Sequence, residues 1–358
     1  MILKRYPATR NHSLQAWNAA DEHLVLYISE HPDIIHGNMA IYNDRFGYLS
    51  CHLKAYDPDT IVHLASQKKA IRQNMERNFP GSEPSFRVLT ENNSGRSNKL
   101  ALLQIPKSND LLDLMLFRIH ENAADDIRVA CGFMTRHFTP TWLEIAGQYF
   151  DEVAQSKAWK KSRLLLLSGK KKNAAKKLFI HENSFKDLNI RQYSGVFSKE
   201  KIDMATSFLL ENFQVHETEK NILDWGCGNG IIGLFIQKKF GPKKMVFMDD
   251  SILAVESVRL NDPTADVRWE DNLQSFQTET FDLIVTNPPF HFEYETDISM
   301  TLSFFEETTR CLSHDGRLLV VANKHVNYQT HLRRLFQTVD IVKENQKFVI
   351  YESKYPLT

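Results

Sequence analysis

Apolar runs that end in acidic or polar residues recur through the second half of the chain. The run at 221–223 precedes a helical segment at 231–236, and further runs follow at 245–248, 267–269 and 281–285. Runs of this length are typical of buried strands. Strands that alternate with helical segments predict an α/β domain with a parallel sheet.

The first half contains a faint copy of this rhythm. Residues 39–47 occupy the place of the first strand and its following loop, and residues 100–107 occupy the place of the strand at 281–285. The run at 126–132 mirrors the run at 316–322. We interpret the halves as a duplication, although two unrelated α/β domains could share such a rhythm.

Length and composition set the domain count. The chain has 358 residues, of which 42% are hydrophobic and 25% charged, which suits two globular domains. We predict an N-terminal domain at 1–165, a basic linker at 166–180 and a C-terminal domain at 181–358.

The same composition bears on the compartment. No run of eighteen apolar residues and no apolar signal core occur in the sequence, so we expect no membrane association. The four cysteines and fourteen histidines are scattered, without metal-ligand spacing. We therefore expect a cytoplasmic protein without a metal.

The first predicted strand of the second half leads into a glycine loop, residues 224–230 (Asp-Trp-Gly-Cys-Gly-Asn-Gly). Glycines between a strand and a helix let a ligand approach the backbone closely. Asp224 would repel a pyrophosphate but suits a ligand with an ammonium group, which favours S-adenosylmethionine over NAD. Asp224, Gly226 and Gly228 are the candidate donor-binding residues; a purely structural turn is the alternative.

Two further strand ends carry candidate donor contacts. Asp249 closes the run at 245–248, about twenty residues after the glycines, where an acid binds ribose hydroxyls. It could instead cap the following helix, or do both. Asp271 or Asn272, after the run at 267–269, could receive the adenine amino group, or form an ordinary turn.

The fourth strand ends in an NPPF motif, Asn287-Pro288-Pro289-Phe290. The Asn287 side-chain oxygen and the Pro288 carbonyl can accept the hydrogens of an amine on a planar ring. Phe290 offers a face for stacking a base. We therefore predict that Asn287, Pro288 and Phe290 act on the target amine; a proline-rich turn is the alternative.

With the glycine loop and the NPPF motif, residues 195–328 resemble the ribosomal RNA guanine-N2 methyltransferases of the tandem-domain type. Residues 195–198 (Gly-Val-Phe-Ser), Asp249 and the His after the NPPF motif match that family. Two segments near the beginning of the chain match the large-subunit branch of this family, residues 5–9 and 14–17. A later segment, residues 321–325, matches that branch as well.

The resemblance implies two tandem Rossmann-like methyltransferase domains. The first copy would be degenerate, and the second would be a seven-stranded class I S-adenosylmethionine-dependent domain. It also implies the donor and target-base sites proposed above. Trp225 is a departure, since the family usually has an aliphatic residue there.

A run of cations lies between the halves. Residues 157–177 hold nine Lys and Arg residues and no acid, in a chain whose net charge is zero. Such a strip can bind phosphates, although a solvated linker is the alternative. We propose Lys170, Lys171 and Lys172 as RNA contacts.

The predicted function is methylation of the exocyclic N2 of a guanine in 23S ribosomal RNA, on RNA free of assembled protein and without an obligate protein partner. Four alternatives stay open: a small-subunit guanine-N2 methyltransferase, an adenine-N6 methyltransferase, a protein-glutamine methyltransferase, and a non-catalytic RNA-binding assembly factor.

Overall fold

The computed structural model describes residues 1–8, 14–91, 97–174, 177–198, 201–288 and 299–357. The chain divides into two compact units, Met1–Phe179 and Ile180–Thr358. Each unit is built around a mixed sheet with helices packed against it.

The first unit alternates helices with strands. Its helices are α1 (Ala19–Glu30), α2 (Tyr48–His52), α3 (Ala65–Asn78), α4 (Asn109–Glu121) and α5 (Thr141–Gly147). Its strands are β1 (Asn38–Tyr42), β2 (Asp59–Val62), β3 (Phe86–Val88), β4 (Asn98–Gln104), β5 (Ala123–Met134), β6 (Phe150–Gln155) and β7 (Ser162–Lys170).

The second unit starts with a hairpin and then repeats the alternation. Its helices are α6 (Met204–Asn212), α7 (Ile231–Phe240), α8 (Ile252–Asn261), α9 (Ser299–Cys311) and α10 (Gln329–Leu332). Its strands are β8 (Ile180–Phe185), β9 (Leu188–Tyr193), β10 (Asn221–Trp225), β11 (Lys244–Asp249), β12 (Asp266–Trp269), β13 (Phe281–Thr286), β14 (Leu312–Asn323), β15 (Phe336–Glu344) and β16 (Phe348–Pro356).

The two sheets have the same topology across the part of the chain that the structure describes. The orders are β3-β2-β1-β4-β5-β7-β6 and β12-β11-β10-β13-β14-β16-β15. The first five strands of each order run parallel, while β7 and β16 are antiparallel to both of their neighbours. The predicted fold, two tandem α/β domains of the methyltransferase type, is therefore confirmed.

The loops after β1 and β10 follow matching backbone paths. Asn43 and Gly226 are both left-handed, at φ 57° and 64°, and four residues later Gly47 and Gly230 are left-handed again, at 87° and 83°. A helix begins immediately after each of these last glycines. The common spacing supports the duplication, because unrelated domains have no reason to share it.

Side chains distinguish the first of these loops from the second. Arg45 stands where the spacing puts Gly228, and its guanidinium lies 5.5 Å from the ring centroid of Phe46. Phe46 is buried against Ala16 and Ala70, with Tyr6 and Trp17 packed around them. Bulky groups thus occupy the first loop, in agreement with a degenerate copy.

The structure differs from the predicted linker at its start. Residues 166–170 belong to β7, which pairs with β5 and β6. Leu164, Leu165 and Leu167 are buried in that sheet, so apolar burial extends the first unit beyond the predicted boundary at residue 165. A candidate membrane-spanning helix is absent from the part of the chain that the structure describes.

Close packing of α7 on β11 predicts a sensitive position at Gly233. A methyl group there would collide with the Phe247 ring and lie 2.9 Å from the Met245 Cε. We expect Gly233→Ala to lower the free energy of unfolding by about 1–3 kcal/mol through overpacking. Gly147→Ala is the control, since a methyl group there meets nothing within 4 Å. Guanidinium unfolding followed by circular dichroism checks this; equal midpoints for both variants would contradict it.

Candidate active site

A cavity of about 400 Å³ lies in the second unit, at the carboxyl ends of its parallel strands. This is where open α/β sheets bind ligands. The residues that line it come from the segment before α6, the glycine loop, the ends of β10, β11, β12 and β13 and the first turns of α6, α7 and α8: Gly195, Val196, Phe197, Ser198, Ile202, Asp203, Thr206, Trp225, Gly226, Cys227, Gly228, Asn229, Ile231, Ile232, Asp249, Asp250, Ser251, Ala254, Glu270, Asp271, Asn287 and Pro288.

The glycine loop presents bare backbone to this cavity. Gly226 and Gly228 are left-handed, and a Cβ added to either would meet nothing within 4 Å. The N–H groups of Gly226 and Cys227 both donate to the Met248 carbonyl, at 2.9 and 3.1 Å. The neighbouring strand therefore holds the loop in a shape that leaves room for a ligand against its main chain.

Asp224 lies behind the loop and does not line the cavity. Its Oδ2 accepts the Gly233 N–H at 2.9 Å, and the side chain is fully buried. Burial raises the pKa of this carboxyl to about 8. The first turn of a helix has unsatisfied N–H groups that attract such an oxygen. Asp224 thus fixes the loop onto α7 through Oδ2, while its Oδ1 is buried and has no hydrogen-bond partner among the described residues. Its contact with the donor's ammonium group stays a prediction.

Asp249 does line the cavity, as predicted. Its Oδ2 accepts the Gly228 N–H at 2.9 Å and its Oδ1 accepts the Ser251 N–H at 2.8 Å. Burial raises its pKa to about 6, while these two hydrogen bonds act in the opposite direction. The carboxylate thus ties the glycine loop to the start of α8, and it keeps lone pairs for ribose hydroxyls.

The structure separates the two candidates after β12. Asp271 lines the cavity beside Glu270, whereas Asn272 does not. Asn272 instead accepts the Gln274 N–H at 3.1 Å and donates to Asp271 at 3.2 Å. The adenine-contact hypothesis therefore stays with Asp271, and Asn272 shapes the turn.

Hydrogen bonds hold the nitrogen of the Asn287 side-chain amide. Its Nδ2 donates to the Asp203 carboxylate at 3.0 Å and to the Thr206 hydroxyl at 2.8 Å. Its Oδ1 is buried and has no hydrogen-bond partner among the described residues. A buried acceptor without a donor costs about 1–3 kcal/mol, so this oxygen is ready for an incoming N–H. Pro288 also lines the cavity; Phe290 lies outside the described residues.

Gln192, in β9, is a site residue that the sequence reasoning missed. It is fully buried, accepts the Asn229 Nδ2 at 2.7 Å and donates to the carbonyls of Val196 and Phe197 at 3.1 and 3.2 Å. It therefore joins the glycine loop to the segment that covers the cavity. The polar Asn229 inside the loop was the available signal.

Trp225, the departure from the family pattern, has a packing role. Its ring stacks on Phe304 of α9, with an interplanar angle of 9°. Phe304 itself is buried in the core of the second unit. The larger aromatic residue therefore anchors α9 at the edge of the cavity.

Comparisons with known proteins find matches for both halves of the chain. Residues 187–352 match the methyltransferase small domain, and residues 1–174 match the RLMG N-terminal domain. Ribosomal RNA large subunit methyltransferase G of Psychromonas ingrahamii is 31% identical over 98% of this chain and 95% of its own length. The Vibrio vulnificus protein of that name is 30% identical, over 99% and 96%.

The chain belongs to the ribosomal RNA large subunit methyltransferase G family. This membership confirms the family that was predicted from the sequence. It also confirms the predicted activity, that of an S-adenosylmethionine-dependent ribosomal RNA methyltransferase. Among solved structures, a T. thermophilus 16S rRNA N2 G1207 methyltransferase in complex with AdoMet and guanosine matches with a TM-score of 0.77. It is 18% identical and covers 90% of this chain and 91% of its own, which supports the tandem fold.

The three lysines that we propose as RNA contacts of this methyltransferase have different surroundings. Lys170 Nζ donates to the Ala123 carbonyl at 2.6 Å, and Lys171 Nζ donates to the Gly147 carbonyl at 2.5 Å. Lys172 is exposed. Two of the three ammonium groups thus bind main-chain carbonyls of the first unit, and Lys172 is the better placed for a phosphate.

The position of Asp249 predicts how donor binding depends on its charge. We expect Asp249→Ala to weaken S-adenosylmethionine binding to the full chain by about 1–3 kcal/mol, as for loss of charge-assisted hydrogen bonds. Because the deprotonated form accepts the ribose hydroxyls, affinity should be constant above pH 7 and fall as the pH drops through about 6.

Isothermal titration calorimetry at several pH values measures both effects, with Asn272→Ala as the control outside the cavity. The parent should bind one donor per chain. Unchanged affinity in Asp249→Ala would remove this residue from the site, and a second bound donor would contradict the degenerate first copy.

Proposed function

We propose that this protein transfers a methyl group from S-adenosylmethionine to the exocyclic N2 amine of a guanine in 23S ribosomal RNA. The observation that carries the proposal is the Asn287 amide, whose nitrogen is hydrogen-bonded and whose oxygen is buried without a partner among the described residues. An amine is the kind of group that satisfies such an oxygen.

The donor fits the other side of the same cavity. Gly226 and Gly228 leave open space at the backbone, and Asp249 adds a carboxylate next to them. Bound S-adenosylmethionine supplies an electrophilic methyl group. Asp271 is our candidate for the contact with its adenine.

At the target amine, residues of the chain orient the amine nitrogen and stabilise the charge that develops on it. Asn287 Oδ1 and the Pro288 carbonyl each accept one N–H, which aims the nitrogen lone pair at the donor and stabilises positive charge as it develops. Phe290 is proposed to stack on the base. A strong general base is not required, because the amine loses its proton after the transfer.

Similarity favours the large-subunit branch. The relatives named for the large subunit are 30–31% identical over nearly the whole chain, whereas the small-subunit structure is 18% identical. We propose that the substrate is RNA free of assembled protein and that no obligate protein partner takes part.

The cytoplasm is the proposed compartment. All four cysteines are free and buried, as expected in a reducing environment.

The guanine must be unpaired or extruded from its helix to enter the cavity.

The role of Asn287 gives a direct test of the chemistry. We expect Asn287→Ala to lower the single-turnover rate about a hundred- to a thousand-fold, the usual loss for one preorganised electrostatic contact. Donor affinity should be unchanged, because the amide acts on the target amine. The rate is measured with labelled donor and with 23S ribosomal RNA taken from a strain that lacks this enzyme. Methylation at the parent rate would remove the amide from the mechanism.

The RNA contact is tested by comparing neighbouring lysines. Lys172→Ala should weaken RNA binding and reduce the slope of log K against log salt by about one. Lys171→Ala should leave that slope unchanged and lower the unfolding midpoint instead, because its ammonium group binds the Gly147 carbonyl. Filter binding over a salt series measures the slopes. Equal slopes for the parent and Lys172→Ala would make this segment a plain linker.

A further inference from the structure

We propose that Asp203 and Thr206 are positioning residues that lock the Asn287 amide with its oxygen as the acceptor. The lock would restrict the target position to groups that donate an N–H. This inference rests on the proposed function, and it adds two residues that neither the glycine loop nor the NPPF motif contains.

The chemistry of the partners fixes which way the amide faces. The Asp203 carboxylate is an acceptor, so it can be approached only by the nitrogen of Asn287, at 3.0 Å. The Thr206 hydroxyl oxygen lies 2.8 Å from that nitrogen. Turning the amide over would bring its oxygen against the carboxylate oxygen, and two acceptors without a hydrogen between them repel each other.

Both partners belong to the start of α6, which makes them a stiff support. Asp203 is the N-cap of the helix, and its Oδ2 accepts the N–H groups of Ala205 and Thr206 at 2.9 and 3.0 Å. Thr206 is buried in the first turn. The cap thus fixes the carboxylate, and the carboxylate fixes an amide that lies 84 residues further along the chain.

The lock has a consequence for substrate choice. Guanine carries its N2 amine and its O6 carbonyl on the same base edge, so the correct placement depends on telling a donor from an acceptor. An oxygen presented by Asn287 accepts the amine, whereas a freely turning amide could present its N–H and bind the carbonyl. Asp203 and Thr206 would therefore act on the methyl-transfer step rather than on donor binding.

The test compares Thr206→Val with Thr206→Ser in the full-length enzyme. Valine keeps the shape and removes the hydroxyl acceptor, whereas serine keeps that acceptor. We expect Thr206→Val to lower the single-turnover rate about three- to tenfold, as for loss of one hydrogen bond. Thr206→Ser should keep most of the parent rate, and the donor Kd should be the same in all three proteins.

Asp203→Ser provides a second variant that preserves folding. Serine remains a good N-cap, but its shorter side chain does not reach the Asn287 amide. We expect a larger rate loss than for Thr206→Val, with a melting temperature close to that of the parent. A parent rate in both Thr206→Val and Asp203→Ser would overturn the lock.

A readout without RNA separates this inference from the proposed function. In ¹⁵N spectra the Asn287 side-chain NH2 of the parent should exchange slowly with solvent, and Thr206→Val should speed that exchange at least threefold. Slow exchange with no methylation of ribosomal RNA by the parent would defeat the proposed function and leave the lock standing. Methylation by the parent, with unchanged exchange in Thr206→Val, would defeat the lock alone.

Discussion

Parallel pairing of β10 with both β11 and β13 is the constraint on which the rest of the site depends. Trp225, at the end of β10, lies opposite Met248 on one side and Thr286 on the other. The glycine loop, Asp249 and Asn287 therefore leave the sheet side by side. Residues sixty positions apart in the sequence meet at one cavity because three strands end in register at the same edge.

Two acidic residues at this edge, Asp224 and Asp249, have different surroundings. Asp224 and Asp249 both accept backbone N–H groups, but only Asp249 lines the cavity. Burial raises the pKa of both carboxyls, and it raises that of Asp224 further. One acid thus holds the loop in place from behind, while the other lines the cavity. Removing either partner from such a contact leaves a buried polar group unsatisfied.

The first unit illustrates how the same backbone can lose a site. Asn43 and Gly47 keep the left-handed geometry of their counterparts, so the strand, loop and helix remain connected in the same way. Arg45 then places a side chain where the second unit has the bare backbone of Gly228, and Phe46 packs beside it. A glycine loop binds a ligand in the space that is left where side chains are missing. Substitutions can fill that space while the fold is kept.

The amino-acid sequence was sufficient to predict the architecture and to propose most of the candidate site. Apolar runs with acids at their ends specify the strands, and the ligand crevice of a parallel sheet follows from strand direction. For that reason Gly226, Gly228, Asp249 and Asn287 could all be proposed from the sequence. The duplication was also visible, because strand spacing survives when the glycines do not.

The orientation of each polar side chain and its hydrogen-bond partners became known from the fold. Asp224 is turned toward α7, Asn272 toward its own turn, and Lys171 toward a carbonyl of α5. Gln192, Asp203 and Thr206 entered the site from elements that carry no motif. Hydrogen bonds depend on direction and on partners distant in the chain, whereas a sequence pattern records spacing along one segment. The partners of a polar group therefore had to come from the fold.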